Sequence, residues 1–222
     1  MHFEILVEDQ SGKKMLEILV PKIIGTDHTF KIIPYKGIGH VPRNLRNVGD
    51  FRTRLLLDNL PRLLNGYGKT FKSFPSDYHA VVIVVCDLDN NCLKEFRGTL
   101  ISIFNKCHTK PDTHFCIAIK EGEAWLLGDI KAVKSAYPHA KDVVLRKYKN
   151  YKNETIDGTW EYLADAVYPG GKKPLKDQGW QEVGKMKSLW AERITPFIDV
   201  ESNTSPSFVY FRDKLRAIMH NV

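Results

Sequence analysis

Apolar residues in the first half of the chain form short runs that are separated by segments of helical periodicity. The clearest run is Ala80–Cys86 (AVVIVVC), whose β-branched residues are typical of a strand buried on both faces of a parallel sheet. Three further segments rich in strand-forming residues predict strands at His2–Val7, His28–Tyr35 and Thr113–Ile119. We therefore expect four strands before residue 120.

The intervals between these strands carry apolar residues three and four positions apart, which predicts helices. The first helix is expected from Ser11, as its cap, to about Val20, with Pro21 ending or bending it. Another helix is expected to end near Cys107. Strands that alternate with helices favour a parallel sheet with right-handed crossovers.

The segment between the second and third strands is less regular. Residues 36–50 contain several Gly and Pro and are expected to form a loop, after which Asp50 caps a helix that continues through Leu64. Gly66–Asp77 is expected to form a second loop. We treat residues of about 36–75 as an insertion in the sheet domain.

The second half of the chain shows helical periodicity and no convincing strand. The sequence therefore predicts an α/β, Rossmann-like core over residues 1–125 and a helical C-terminal region, 126–222, packed on that core. A short helix is expected at Ala124–Leu127. The longer helices are expected at Asp129–Ala136, Ala140–Tyr148, Thr159–Val167, Trp180–Ile194 and Ser207–Met219.

Positive charge is concentrated in the insertion. The chain has 33 basic and 26 acidic residues, and the stretch Lys31–Ser73 alone has nine basic and two acidic ones, so it carries the whole surplus of seven. Such a surface suits a polyanion, DNA or RNA, although a solvated basic loop is the alternative interpretation. The candidate nucleic-acid contacts are Lys36, Arg43, Arg46, Arg52, Arg54 and Lys69.

The chain shows no sign of export or membrane insertion. Its first residues, MHFEILVED, lack the basic segment and the long apolar stretch of a signal peptide. Its longest apolar run is far shorter than the roughly 20 residues that cross a bilayer. We expect a soluble, cytoplasmic protein with no membrane partner.

Acidic residues follow three of the four predicted strands: Glu8 after the first, Asp87 and Asp89 after the third, and Glu121 and Glu123 after the fourth. Parallel strands bring these ends to one edge of the sheet, where ligands bind in such folds. Crowded carboxylates repel one another unless a cation lies between them, and Mg²⁺ or Mn²⁺ suits such oxygen ligands. Each acid taken alone is also compatible with a helix cap or a solvated charge.

The motifs LVED at Leu6–Asp9 and CDLDN at Cys86–Asn90 resemble those of the TOPRIM superfamily, which has a Glu after its first strand and D-x-D after its third. More closely, the phrases ILVEDQSGK, YKGIG, IKEGEAWLLGD, KSLWA and SPSFVYFRDKLR resemble the TOPRIM-like domain-of-unknown-function family 4276, a relative of the overcoming-lysogenization-defect nucleases. The chain differs from the usual TOPRIM pattern in its long basic segment and in lacking an evident fifth strand.

The resemblance implies that Glu8, Asp87 and Asp89 hold Mg²⁺ or Mn²⁺ in a nuclease or related phosphoryl-transfer enzyme. Glu8 would act as ligand or general base, and Glu121 or Glu123 would support a second ion. It also implies an ATPase partner and a role in defence against phage or plasmids. The alternative is a non-catalytic subunit that binds nucleic acid or a partner and uses these acids as a structural metal site.

Two further features of the C-terminal region bear on the site. Lys187 is expected on a helix over the sheet edge, where it would contact a phosphate, pair with an acid, or remain a solvated helix charge. The four tryptophans, Trp125, Trp160, Trp180 and Trp190, are expected to pack in the interior rather than to stack on bases.

Overall fold

The structure is a computed structural model that describes residues 1–40, 54–149 and 158–220. Its described residues contain one sheet of four parallel strands: β1 (His2–Val7), β2 (Thr29–Pro34), β3 (Ala80–Asp87) and β4 (Thr113–Ala118). Their order across the sheet is β2-β1-β3-β4. The predicted α/β class and the parallel sheet are confirmed, and each strand lies within one residue of its predicted bounds.

Crossover helices cover both faces of the sheet. After β1 the chain moves outward to β2 through α1 (Gln10–Ile24), and after β2 it returns past β1 to β3 through α2 (Leu56–Phe71). Right-handed crossovers in opposite directions place their helices on opposite faces. The helix α3 (Leu93–Lys106) connects β3 to β4 and lies on the same face as α2.

In the part of the chain that the structure describes, the alternation of side chains along the strands produces two hydrophobic cores. Phe3 and Ile5 of β1 belong to the core on the α1 side, whereas Leu6 belongs to the core that α2 and α3 cover. All three residues are fully buried. The central strands are therefore apolar on both faces, as the unbroken run in β3 predicted.

The C-terminal helices share the core on the α1 side. Trp125, Trp190 and Phe208 from this region are fully buried in the same cluster as Phe3 and Ile5. The helical character of residues beyond about 125 is confirmed. The helices are α4 (Glu123–Leu127), α5 (Ile130–Ala136), α6 (Asp142–Lys149), α7 (Thr159–Val167), α8 (Lys172–Asp177), α9 (Trp180–Ile194), a 3₁₀ helix (Thr195–Phe197) and α10 (Pro206–His220).

The bounds of α1 differ from the prediction at both ends. Asp9 rather than Ser11 is the N-cap, because its carboxylate accepts a hydrogen bond of 2.7 Å from the Gly12 N–H. The helix also continues through Pro21 to Ile24, and the Pro21 carbonyl accepts a hydrogen bond from Gly25 N–H. Burial of Ile24 in the core keeps this last turn helical.

The prediction for α2 is wrong at both ends. The helix begins after Leu55, which provides no side-chain cap, and Asp50 lies outside the described residues. The predicted loop over Gly66–Asp77 is helical as far as Phe71. Tertiary packing explains this extension, because a Cβ on Gly68 would lie 2.8 Å from the Thr109 carbonyl carbon, so glycine allows the helix to pack closely there.

One helix, α8, was not expected from the sequence, since its six residues are too few to show periodicity. Among the described residues, no helix combines the length and apolar character that crossing a membrane requires.

Candidate metal centre

The carboxyl ends of β1 and β3 lie side by side at the centre of the sheet. The chain leaves β1 toward β2 and leaves β3 toward β4, so the two following segments diverge to opposite sides. Such a topological switch point leaves a crevice beyond the strand ends, where open α/β sheets bind ligands. Glu8 directly follows β1, and Asp87 is the last residue of β3.

Glu8 and Asp87 meet in this crevice. The Asp87 backbone N–H donates a hydrogen bond of 3.2 Å to Oε2 of Glu8. The two acids are 79 positions apart in sequence, so the sheet alone brings them together. The sequence predicted only that both acids lie at one edge of the sheet, and the structure places them within hydrogen-bonding distance of each other there.

Asp89 lies at the rim of the crevice. Its backbone adopts a left-handed conformation, with φ of 50°, that is uncommon for residues other than glycine. The N–H of Leu88 bonds to the Ala118 carbonyl, the N–H of Asp89 bonds to the Lys120 carbonyl, and the side chain of Leu88 is buried. The turn after β3 is thus fixed to the end of β4, with the Asp89 side chain exposed.

The two acids after β4 have partners in the protein itself. Oε2 of Glu121 accepts hydrogen bonds from Thr159 Oγ1 at 2.8 Å and from the Trp160 N–H at 3.1 Å, at the start of α7. Oε2 of the buried Glu123 lies 3.0 Å from Nζ of Lys187. Glu121 therefore caps a helix, and Glu123 forms an ion pair.

Lys187 provides positive charge inside the cluster. Its side chain is only 18% exposed. Burial lowers the pKa of Lys187, but the carboxylates of Glu123, Asp87 and Glu121 outweigh this effect and raise it above the ordinary lysine value. Lys187 therefore stays protonated and partly neutralises the acids around it.

The pKa values of the acids are nevertheless raised. Burial raises the pKa of Glu8 from 4.5 to about 7, although the hydrogen bond from the Asp87 N–H opposes this shift. Burial and the neighbouring Glu8 raise the pKa of Asp87 well above its ordinary value. Burial and Glu121 raise the pKa of Asp89. Lys187 alone thus does not compensate the negative charge of this group.

The residues of the crevice fit a divalent cation that takes only one or two carboxylate ligands from the protein. Among the described residues, no group of three or more Asp, Glu, His or Cys side chains is arranged to hold a metal ion. Magnesium in phosphate sites, however, is often held by one or two carboxylates and completes its shell with water and substrate oxygens. The crevice contains a cavity of about 30 Å³ lined by Glu8, Asp87 and Lys187, so an ion bound there would take its protein ligands from the two carboxylates.

Two of the predicted nucleic-acid contacts lie close to Glu8. The Gly37 N–H donates a hydrogen bond of 2.9 Å to the Glu8 carbonyl, and the neighbouring Lys36 N–H bonds to the Arg54 carbonyl. The side chains of Lys36 and Arg54 are both exposed. These cations therefore lie at the same edge of the sheet as the acids.

The other predicted contacts do not extend this group. Lys69 is in the last turn of α2, which runs from the Glu8 edge toward the start of β3. Lys69 is 13 positions after Leu56, the first residue of α2, which corresponds to about 20 Å along a helix axis. Lys69 is therefore at the opposite edge, and Arg43, Arg46 and Arg52 lie outside the described residues.

The structure also distinguishes among the tryptophans. Trp125, Trp190 and Trp160 are buried as predicted, whereas the Trp180 side chain is 75% exposed, so the prediction of an interior position is wrong for it. A signal was present in the sequence, since Trp180 directly follows Gly179 in a polar segment.

No family model, curated protein or solved structure matches this chain. The resemblance to TOPRIM proteins therefore depends on the sequence motifs quoted above. The geometry described here is independent of that resemblance, because it follows from the order of the strands and the contacts of the acids.

Proposed function

We propose that this protein binds Mg²⁺ or Mn²⁺ through Glu8 and Asp87 and hydrolyses phosphodiester bonds of DNA or RNA, as a TOPRIM-like nuclease. The observation that supports this most is the meeting of Glu8 and Asp87 at the switch point of the sheet, with both pKa values raised. Buried acids with strongly shifted pKa values in a cleft are typical of functional sites.

The residues around the cavity would have different roles in hydrolysis. A divalent ion bound here would supply charge that stabilises the attacking and leaving oxygens of the phosphodiester. Glu8 would hold this ion or accept a proton from the attacking water, and a carboxyl pKa of about 7 suits proton transfer near neutral pH. Asp87 would hold the ion, and Asp89 at the rim would assist.

Positive charge beside the acids would position the nucleic acid. Lys36 and Arg54 are exposed at the same edge as Glu8, and the stretch Lys31–Ser73 carries a net charge of +7. Phosphate contacts by Lys and Arg supply affinity without sequence preference. This charge distribution therefore favours binding to the backbone of DNA or RNA over readout of a specific sequence.

Cleavage assays with Mn²⁺ or Mg²⁺ on single-stranded and duplex DNA and RNA test this proposal. Glu8→Gln and Asp87→Asn keep the side-chain shape and remove a charge, so each should lower the cleavage rate by about 100-fold or more. Glu17→Gln and Asp77→Asn are matched controls, because both residues are exposed and lie away from the crevice, and they should cleave like the wild type. Equal rates for all five proteins would contradict the proposal.

A second candidate function is a non-catalytic subunit that binds nucleic acid or a partner. The observations that favour it are the ion pair of Lys187 with Glu123 and the absence of a three-ligand group among residues 1–40, 54–149 and 158–220. It predicts nucleic-acid binding without cleavage in the same assays. An ATPase partner and a role in phage or plasmid defence remain proposals from the family resemblance alone.

A further inference from the structure

Trp180 is an exposed aromatic residue in a chain that buries its other tryptophans. Trp125, Trp160 and Trp190 are at most 4% exposed, whereas Trp180, the first residue of α9, is 75% exposed. Large aromatic side chains contribute most when they are buried, so the exposed Trp180 ring offers apolar area that a ligand would cover.

Position along α9 places Trp180 near the acids. Trp180 and Lys187 are seven residues apart, which is two turns, so they share one face of the helix about 10 Å apart along its axis. Lys187 contacts Glu123 within the cluster. The exposed ring therefore lies on the helix face that leads to the crevice.

Contacts with α7 give the same location independently. The Trp180 ring packs edge-on against the Trp160 ring, with centroids 6.0 Å apart. The backbone N–H of Trp160 in turn bonds to Glu121, whose charge acts on Asp89. Two chains of contacts thus place Trp180 at the rim of the acid cluster, with the buried Trp160 supporting it.

Three lysines of α8 and α9, the helices before and after Gly179, lie close to acids. Lys176 pairs with Glu161 at 3.0 Å and Lys185 pairs with Glu182 at 2.8 Å. Lys172 lies 3.5 Å from Asp165. These pairs reduce the attraction of Lys172, Lys176 and Lys185 for phosphates, so a ligand there would contact the ring mainly through its own aromatic surface.

We propose that Trp180 is a stacking platform for an unpaired base, so that the substrate of the acid cluster is single-stranded nucleic acid or a single-stranded end. This inference rests on the proposed function, because it assumes that phosphates reach the acids. A base within a duplex is already stacked on its neighbours, whereas an unpaired base offers a free face to an aromatic side chain, and such stacking tolerates any sequence.

Binding measurements without metal test the inference separately from cleavage. Single-stranded oligothymidylate is titrated in EDTA into the wild type, Trp180→Ala, Trp180→Phe and the control Phe197→Ala, which removes an exposed aromatic beyond the far end of α9. Stacking by one base predicts about 5- to 150-fold weaker binding for Trp180→Ala, little change for Trp180→Phe and none for Phe197→Ala. An abasic oligonucleotide of the same length should bind the wild type and Trp180→Ala equally.

Several outcomes would overturn the inference. Equal binding of oligothymidylate by wild type and Trp180→Ala is one, and an equal loss for the abasic strand is another, since that loss would not involve a base. Loss of self-association in Trp180→Ala with unchanged oligonucleotide binding would assign the ring to a protein contact instead. Failure of the proposed function is distinguishable, because a protein without nuclease activity still shows Trp180-dependent binding in EDTA if the platform exists.

Discussion

At the scale of single residues, burial of the acids in the crevice opposes their ionisation. Glu8 and Asp87 are held together at buried strand ends, where burial raises the pKa of each carboxyl and favours its protonated form. Lys187 and the Asp87 N–H oppose this effect for Glu8. Ionised Glu8 therefore destabilises the protein as long as no further cation is bound.

The pH dependence of stability follows from the raised pKa of Glu8. The pKa is about 7 in the folded protein, against 4.5 for an ordinary glutamate, so between these values the folded state binds more protons than the unfolded state. The free energy of unfolding should therefore fall as pH rises from about 4.5 to about 7, and Glu8 contributes on the order of 3 kcal/mol to this loss.

Urea unfolding of the metal-free protein at pH 5.5 and pH 8 measures this effect. Glu8→Gln should reduce the difference in unfolding free energy between the two pH values, because glutamine does not titrate. Glu17→Gln on the exposed side of α1 should leave the difference unchanged. An identical pH dependence in wild type and Glu8→Gln would show that the carboxyl titrates normally.

At the scale of elements, the sequence predicted best where local pattern and tertiary packing agree. The β-branched run of β3 and the periodicity of α7 and α9 gave bounds that match the structure to within a residue. The end of α2 was mispredicted because Gly66 and Gly68 are weak helix formers, and only contact with the loop at Thr109 reveals why glycine occurs there. Four hydrogen bonds to Asn65 from residues His108 and Thr109 fix this contact.

The two glycines of α2 should respond in opposite directions to alanine. A Cβ at Gly68 would lie within 3 Å of Thr109, so Gly68→Ala should lower the unfolding free energy by about 1–3 kcal/mol through overpacking. Gly66 has no atom within 4 Å of such a Cβ, so Gly66→Ala should raise it by about 0.5–1 kcal/mol through helix propensity. Chemical denaturation of both variants is the check, and equal destabilisation by the two would refute close packing at Gly68.

At the scale of the whole molecule, strand order creates the site. The sequence predicted that acids follow three strands, but only the order β2-β1-β3-β4 shows that Glu8 and Asp87 are neighbours at the switch point. For Lys187, pairing with an acid was one of three alternatives from the sequence, but no local pattern identifies Glu123, 64 positions away, as its partner. For the same reason, the sequence did not predict that Glu121 caps α7 or that Glu123 forms an ion pair.

The central claim is that Glu8 and Asp87 hold a divalent cation, and calorimetry with and without Mn²⁺ at pH 8 tests it most directly. A ligand that binds only the folded state at about 100 times its Kd stabilises by about 2.7 kcal/mol, which corresponds to a rise in Tm of about 5–10 °C for a chain of this size. We expect such a rise in the wild type and in the control Asp77→Asn, and a much smaller one in Glu8→Gln and Asp87→Asn. An equal rise in all four proteins, or none in the wild type, would contradict the claim.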